Sequence, residues 1–592
     1  MFLATTALTQ FWDETDEIVP LGPWCLRYAE DHARWEKLRS RVLPSPWEDP
    51  EQARIGLRRC EETQDALLPI LARYLNGVHG VAHSERYWRA LLGPWLMHFV
   101  SGFCDRELTL RKALESYPDA RTLRLDPADY RIPATTAQHS HWLSTDAYSL
   151  QIYSEILQYW GHSAPARRLF PRPTEEQPPV RPAWKALAWR VLSAVGAAAR
   201  RVRPASVYFA DLYCDREHLW RLVRTSGFRV QPILGELAES FAFKAVRDAH
   251  RQGLAKLQGK DDFQKLLISA LAAHLPTLYL EGYAALRTYV LSGWEKLPQL
   301  LLTCVGWNAN EYFKMLAAES LERDGRLVIL QHGGAYGVFK VMDTERLERN
   351  LADHFWTWGW TDPSPYVGRA RLAPMPNPRL SAEAPRPKSG SLPKEWLLVS
   401  STLPQYPYTW YMANVPVWHR FESYLDHRER FLAALPEKLR QSLKVRLHSR
   451  DLGWGHKARL GDRFPNLNFD LNPAPWRKRT GQFRLVAVDQ PQSSYVEAVA
   501  ANIPTLMTWN PADWRLREAA IPYFDLLREA GILYDDPAQA ARKAAEIFED
   551  PWAWWLAEKL QKARAKFCDH FGRGSRDWAQ TWSRELELLG KS

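Results

Sequence analysis

The sequence predicts an α/β chain in which two parallel-sheet domains face a cleft and the N-terminal half carries a large helical insertion. Short apolar runs without polar alternation recur between helix-like stretches, as strands do in parallel sheets covered on both faces. Two Pro-rich stretches divide the chain, and its 592 residues exceed what one hydrophobic core usually organises.

Taken in order, Phe2–Ala4 and Ile18–Pro20 read as strands opening an α/β domain, and residues 30–160 read as mainly helical. Residues 1–162 therefore form an N-terminal α/β start with its helical region. Residues 163–183 carry Pro165, Pro171, Pro173, Pro178, Pro179 and Pro182, which remove backbone donors and fix φ, so this stretch reads as a linker or loop. Residues 184–369 complete the first sheet domain through VYFADLY (207–213), FRVQPI (228–233), LLTCVG (301–306), RLVILQHGG and HFWTWGW (354–360). Within it, 183–203 reads as a packed helix ending in Arg200, Arg201 and Arg203, with an interfacial helix near anionic lipid as the second reading. Residues 370–394 read as the interdomain linker. Residues 395–550 form the second sheet domain, with strands at WLLVSST (396–402), KVRLHS (444–449), NLNFDL (466–471), RLVAVDQ (484–490), TLMTWN (505–510) and GILYDD (531–536). Residues 551–592 read as C-terminal helices. Ligands bind at the C-terminal edge of parallel sheets, so the cleft between the two domains is the expected site.

The composition excludes several classes. Six widely spaced cysteines form no C-x-x-C pair, which predicts a reduced, cytoplasmic chain. The N-terminus lacks a basic start before its apolar stretch, and no apolar run reaches the length of a membrane span. A net charge of +10 favours anionic partners, yet no nucleic-acid-binding signature occurs, so no nucleic acid partner is expected. The 28 Trp suit core packing first and stacking on sugars second. No P-loop or nucleophile elbow is present, and His79 and His83 lack the Glu that a metal-binding H-E-x-x-H needs.

Two constellations carry chemistry. Gln331-His332-Gly333-Gly334-Ala335-Tyr336-Gly337 follows an apolar strand, so the glycines leave an imidazole accessible at a strand end, where it can move a proton. Upstream, Asn308, Asn310, Glu311 and Lys314 lie between a strand and a helix. On the second domain, Arg446 and His448 are expected on one face of a strand, with Arg450 and Asp451 following. Ser493 and Ser494 open a helix after RLVAVDQ, with Glu497 one turn in. This arrangement suits a phosphate and a ribose, and equally an ordinary Ser494-x-x-Glu497 capping box.

The segments ATTALTQFWD (4–13), LGPWCLRY (21–28), LLPILARYLNGVHGVAHSERYWRALLGPWL (67–96), the QHGGAYG loop, HFWTWGW, VRLHSRDLGW and AANIPTLMTWN resemble the surface-polysaccharide or O-antigen transferase family of polysaccharide-assembly loci. The resemblance covers nearly the whole chain. It implies a GT-B-like pair of Rossmann-like domains, similar to glycosyltransferases that use CMP-linked sugars of the sialic-acid or Kdo type, without cofactor or metal. The resemblance implies a donor site of His448, Ser493, Ser494 and Glu497, to which the residue pattern adds Arg446, although the sequence reads His-Ser-Arg where the related pattern has His-Pro. Read from position, the candidate catalytic groups are His332, Glu311 and Asp451, beside a cleft loop of Gln331, Gly333, Gly334 and Tyr336. Thr5, Thr6, Trp24 and Arg27 are expected on the acceptor side. The implied partners are a nucleotide-sugar and a glycan acceptor, with peripheral contact at the inner face of the membrane. A CDP-polyol phosphotransferase and a catalytically silent component of a polysaccharide-assembly complex are the alternatives.

Overall fold

A computed structural model of the chain describes residues 1–171, 204–233, 249–362, 366, 368–384, 392–409 and 420–591. The basic stretch 183–203 and most of the first Pro-rich segment lie outside the described residues.

Two short parallel pairs come first: β1 (Phe2–Ala4) with β2 (Ile18–Pro20), and β3 (Arg124–Leu125) with β4 (Ala166–Arg167). The first large sheet contains β5 (Val207–Ala210), β6 (Val230–Pro232), β7 (Leu300–Thr303), β8 (Arg326–Leu330), β9 (His354–Thr357) and β10 (Arg371–Pro374), in the order β10-β9-β8-β7-β5-β6. The second contains β11 (Trp396–Val399), β12 (Leu443–Arg446), β13 (Asn468–Phe469), β14 (Val486–Val488), β15 (Thr505–Thr508) and β16 (Leu533–Tyr534), in the order β13-β12-β11-β14-β15-β16. Every pairing in both sheets is parallel. The second sheet runs outward from β11 to β13 and returns beside β11 at β14. The gap between the ends of β11 and β14 is therefore a topological switch point, where such sheets bind ligands.

Two expectations are corrected here. Residues 371–374 fall at the start of the stretch read as a linker, yet they pair with β9 in full register, from Arg371 with His354 to Pro374 with Thr357. An edge strand needs only one paired side, so flanking prolines do not prevent it. The strand KVRLHS ends at Arg446, which leaves His448 in the following loop and removes the basis for a shared strand face.

The helices Pro50–His79 and Glu85–Ser116 form the antiparallel hairpin of the insertion, turned at Gly80, whose φ of +62° suits glycine. The second is buried on almost every side between Tyr87 and Leu110 and runs through the core, covering Trp88 and Trp95 and also the charged Asp105, Arg106 and Glu107. Among the described residues twelve Trp side chains are essentially fully buried, so their excess serves packing. His79 stacks on Tyr283 and His83 on Tyr87, as packing predicts.

The chain end ties the two domains together. Helix Glu558–Phe571 packs on helices Ile521–Ala530 and Ser494–Ala500 of the second domain. Helix Trp578–Lys591 then crosses to the first sheet, where Trp582 meets Trp356 at 5.3 Å and its indole donates to the Pro376 carbonyl at 2.9 Å.

Candidate active site

The C-terminal edges of the two sheets and the helical insertion enclose a cavity of about 530 Å³, within the size range of ligand sites. The first sheet contributes Asn308, His332, Gly333 and Tyr336, the insertion His98 and Ser140, and the second domain Ser401, Thr402, His448, Arg450, Gln492 and Ser493. A second cavity, of about 730 Å³, adjoins it through His448 and is lined by Arg446, Asp451, His456, Lys457 and Ser494. Among the described residues, no Trp lines the first cavity.

His332 leaves the end of β8 at this cavity. Its Nδ1 lies 3.5 Å from Glu348 Oε1 and 3.0 Å from the Tyr336 hydroxyl. Glu348 sits on helix Asp343–Leu351 with no exposed surface; burial pushes its carboxyl up, and the facing His332 and Tyr336 pull it back. The imidazole is thus half-open to the cavity in front and backed by an acid behind. Glu348 is the residue that sequence reasoning missed. TERLERN reads as a solvated amphipathic helix, and only the fold turns this Glu inward.

The glycines of the loop perform distinct tasks. The Gly334 amide donates to Ser493 Oγ at 3.2 Å, its carbonyl accepts from the Tyr495 hydroxyl at 2.9 Å, and a Cβ there would collide with the Gln492 carbonyl oxygen. Gly337 has φ +73° and lies against the Trp360 ring. The loop of the first domain is therefore pressed onto the start of helix Ser494–Ala500 in the second. Gln331, placed in the same loop by the sequence, is buried: its side chain accepts from the Trp358 amide and the Trp360 indole and donates to the Gly333 carbonyl, so it shapes the turn without facing the cavity.

At the switch point, Ser400, Ser401 and Thr402 follow β11, and Asp489 to Ser493 follow β14. Ser400 and Tyr424 donate to Asp489 at 2.5 and 2.9 Å, and Ser401 donates to Gln492 at 2.9 Å. Burial pushes the Asp489 carboxyl up to about 6, with Arg428 opposing. Thr402 Oγ1 meets His456 Nε2 at 2.9 Å. Ser493 and Ser494 flank the two cavities, one lining each.

Several expected site residues are otherwise engaged. Arg446 donates to Asp470 and to the Asn472 carbonyl at 2.7 and 2.9 Å, whereas Arg450 lines the first cavity and makes no ion pair among the described residues. The Arg450 guanidinium is thus the cation left for an anion in this cavity. His448 is exposed, and its Nδ1 lies 3.2 Å from the Arg450 amide. Glu497 is buried and paired with Arg379, so the capping box does not form and its carboxylate is occupied. Glu311 accepts from the Thr136 amide at 2.8 Å and the Tyr279 hydroxyl at 2.7 Å and pairs with buried Lys314 at 3.1 Å, so it fastens the insertion to helix Glu311–Leu321 and does not line the cavity. Both Asp451 oxygens accept amides, from Gly455 at 2.6 Å and His456 at 2.8 Å, which makes it the brace of the 451–456 loop beside the second cavity.

The four acceptor-side residues are also packed elsewhere. Thr5 and Thr6 are buried, and their carbonyls accept the indoles of Trp24 and Trp12. Arg27 binds Asp146 and Gln405, and the neighbouring Tyr28 donates to Asp462 at 2.8 Å. The chain start is therefore a clamp onto the second domain, and none of the four lines the first cavity. Among the described residues, no three His, Cys, Asp or Glu side chains gather as a metal-ligand set, and no helix is long and apolar enough to cross a membrane.

Residues 1–586 match the LIC12162 family transferase. The chain belongs to the LIC12162 transferase family. No curated protein matches this family member. Among solved structures it is similar to the pneumococcal O-GlcNAc transferase GtfA in complex with UDP and GlcNAc, at 11% identity and a TM-score of 0.33, over 52% of this chain and 60% of that one. It is similar to MurG of Acinetobacter baumannii at 12% identity and a TM-score of 0.31, over 64% and 99% of the two chains. The glycosyltransferase SnogD from Streptomyces nogalater aligns at 14% identity and a TM-score of 0.32, over 65% and 98%.

Proposed function

We propose that this LIC12162-family transferase moves a sugar from a nucleotide-sugar donor onto a hydroxyl of a glycan acceptor. The observation that carries the reading is His332, backed by buried Glu348, opening on the same cavity as Arg450, His448 and Ser493 at the switch-point edge of the second sheet. A base and an anion seat then share one enclosure. In this reading His332 takes the proton of the acceptor hydroxyl as its oxygen forms the bond to the anomeric carbon. The bond from that carbon to the phosphate oxygen breaks, and the nucleotide departs. Glu348 balances the imidazolium, while Arg450, His448 and the Ser493 hydroxyl meet the charge on the leaving phosphate. No resident cofactor or metal is part of the proposal. The donor is proposed as CMP-linked and the acceptor as a surface-polysaccharide or lipid-linked glycan at the inner face of the membrane, both from the family resemblance.

Thermal unfolding with CMP, CDP, UDP and GDP tests the donor half, because a ligand that binds the native state raises the midpoint by mass action. The reading expects one nucleotide to stabilise well above the others, CMP first. A chain stabilised by none of the four would contradict it and favour a silent assembly component.

A further inference from the structure

The part of the cavity lined by the helical insertion has its own polarity. His98 projects from helix Glu85–Ser116, is only 2% exposed, and still lines the cavity. Its Nδ1 lies 2.6 Å from Ser140 Oγ, and that hydroxyl is 2.9 Å from the Thr136 carbonyl one helical turn back. A hydroxyl has one proton. Both contacts are satisfied only if Ser140 donates to Thr136 and accepts from His98, which puts the His98 proton on Nδ1 and leaves Nε2 a bare acceptor. Nε2 makes no hydrogen bond among the described residues and is not sealed from the cavity. Burial and nearby Lys314 push His98 down to about 3, so the ring stays neutral. The groups that face it from neighbouring elements are Ser140, Tyr408, Lys314 and buried His139. Asn308 lines the same cavity, but its Oδ1 is sealed from it and has no hydrogen-bond partner among the described residues.

Resting on the proposed glycosyl transfer, the geometry points to His98 Nε2 as the atom that reads a donated hydroxyl group of a neutral sugar acceptor. A bare acceptor nitrogen selects ligand groups that carry protons, and it repels phosphate oxygens. The second domain presents Arg450 and hydroxyls to the same cavity, which do the reverse. A substrate pair is thereby oriented, with the phosphate toward the second domain and a sugar hydroxyl toward the insertion, and His332 opens on the same cavity.

The test uses the full chain with 15N-labelled histidine, saturated with whichever of the four nucleotides stabilises it, and the methyl glycosides of glucose, galactose, mannose and rhamnose as probes. His98 is expected to carry its proton on Nδ1 and none on Nε2 from pH 5 to 8, and at least one glycoside should move the Nε2 resonance. His98→Phe keeps the ring shape and removes the acceptor. It should weaken that glycoside about three- to tenfold, the worth of one hydrogen bond, with nucleotide affinity retained. Ser140→Ala, which frees the tautomer, should weaken it in the same direction and serves if His98→Phe does not fold. A proton found on Nε2, no glycoside perturbing His98, or unchanged glycoside affinity in the folded variants would overturn the subsite. Loss of all nucleotide binding in the wild type would instead overturn the glycosyl-transfer reading.

Discussion

Replacing Glu348 by Gln isolates the group behind the proposed base. The amide keeps the size of the side chain and removes its charge. At 3.5 Å and an effective dielectric of about 20, a unit charge pair interacts by roughly 5 kcal/mol. The imidazole is only partly protonated at the transition state, so about half of this, roughly 2–3 kcal/mol, should be lost from catalysis, a rate decrease of about 30- to 150-fold. The effect on stability has the opposite sign. Burial holds the Glu348 carboxyl above its ordinary value, so its contribution to stability is complete at low pH and is lost as pH rises through the folded value. Above that point the buried ion is a cost, and Glu348→Gln should be as stable as the wild type or more so. The assay pairs turnover and its pH profile with urea unfolding. The account expects slower turnover, an acidic limb moved to lower pH, and undiminished stability. Wild-type turnover in the variant, or a rate loss matched by loss of fold, would refute the reasoning.

Three further outcomes follow from the same geometry. Gly334→Ala places a methyl group against the Gln492 carbonyl and should separate the His332 loop from Ser493, costing about 1–3 kcal/mol of stability and most activity; a fully active, equally stable variant would contradict the contact. Replacing Ser493 and Ser494 together by Ala should weaken nucleotide binding by about 1–3 kcal/mol, as read by calorimetry, and unchanged affinity would remove the anion role. His98 titrates near 3 when folded and near 6.5 when unfolded, so as pH falls from 6.5 the unfolded chain takes a proton that the native state refuses. Between pH 6 and 4 the wild type should therefore lose about 1.4 kcal/mol per pH unit relative to His98→Phe, and parallel stability curves would contradict a buried neutral ring.

Much of this architecture is legible in the sequence because fully covered parallel strands must be apolar on both faces. VYFA, LLLT, RLVIL and WLLV announce themselves, and each is buried. The edge strand β10 is not announced, since one face and one side need no burial and its residues are partly exposed. His332 was readable from its strand end and glycines. Its partner Glu348 was not, because an acidic helix gives the same pattern whether a given Glu faces water or a histidine. Arg446 and Arg450 are equivalent in sequence, and only the position of Asp470 decides which of them is already paired. The pairing of Glu497 with Arg379, 118 residues away, likewise leaves no local trace.

The most direct measurement is nucleotide release from CMP-, CDP-, UDP- and GDP-linked sugars by the wild type and by His332→Ala, with bound nucleotide followed in parallel. The account predicts that one class of donor is consumed by the wild type. It predicts that His332→Ala binds this nucleotide nearly as well while turning over about 10²- to 10⁴-fold more slowly. Full turnover in His332→Ala, or release from none of the four donor classes by the wild type, would contradict it.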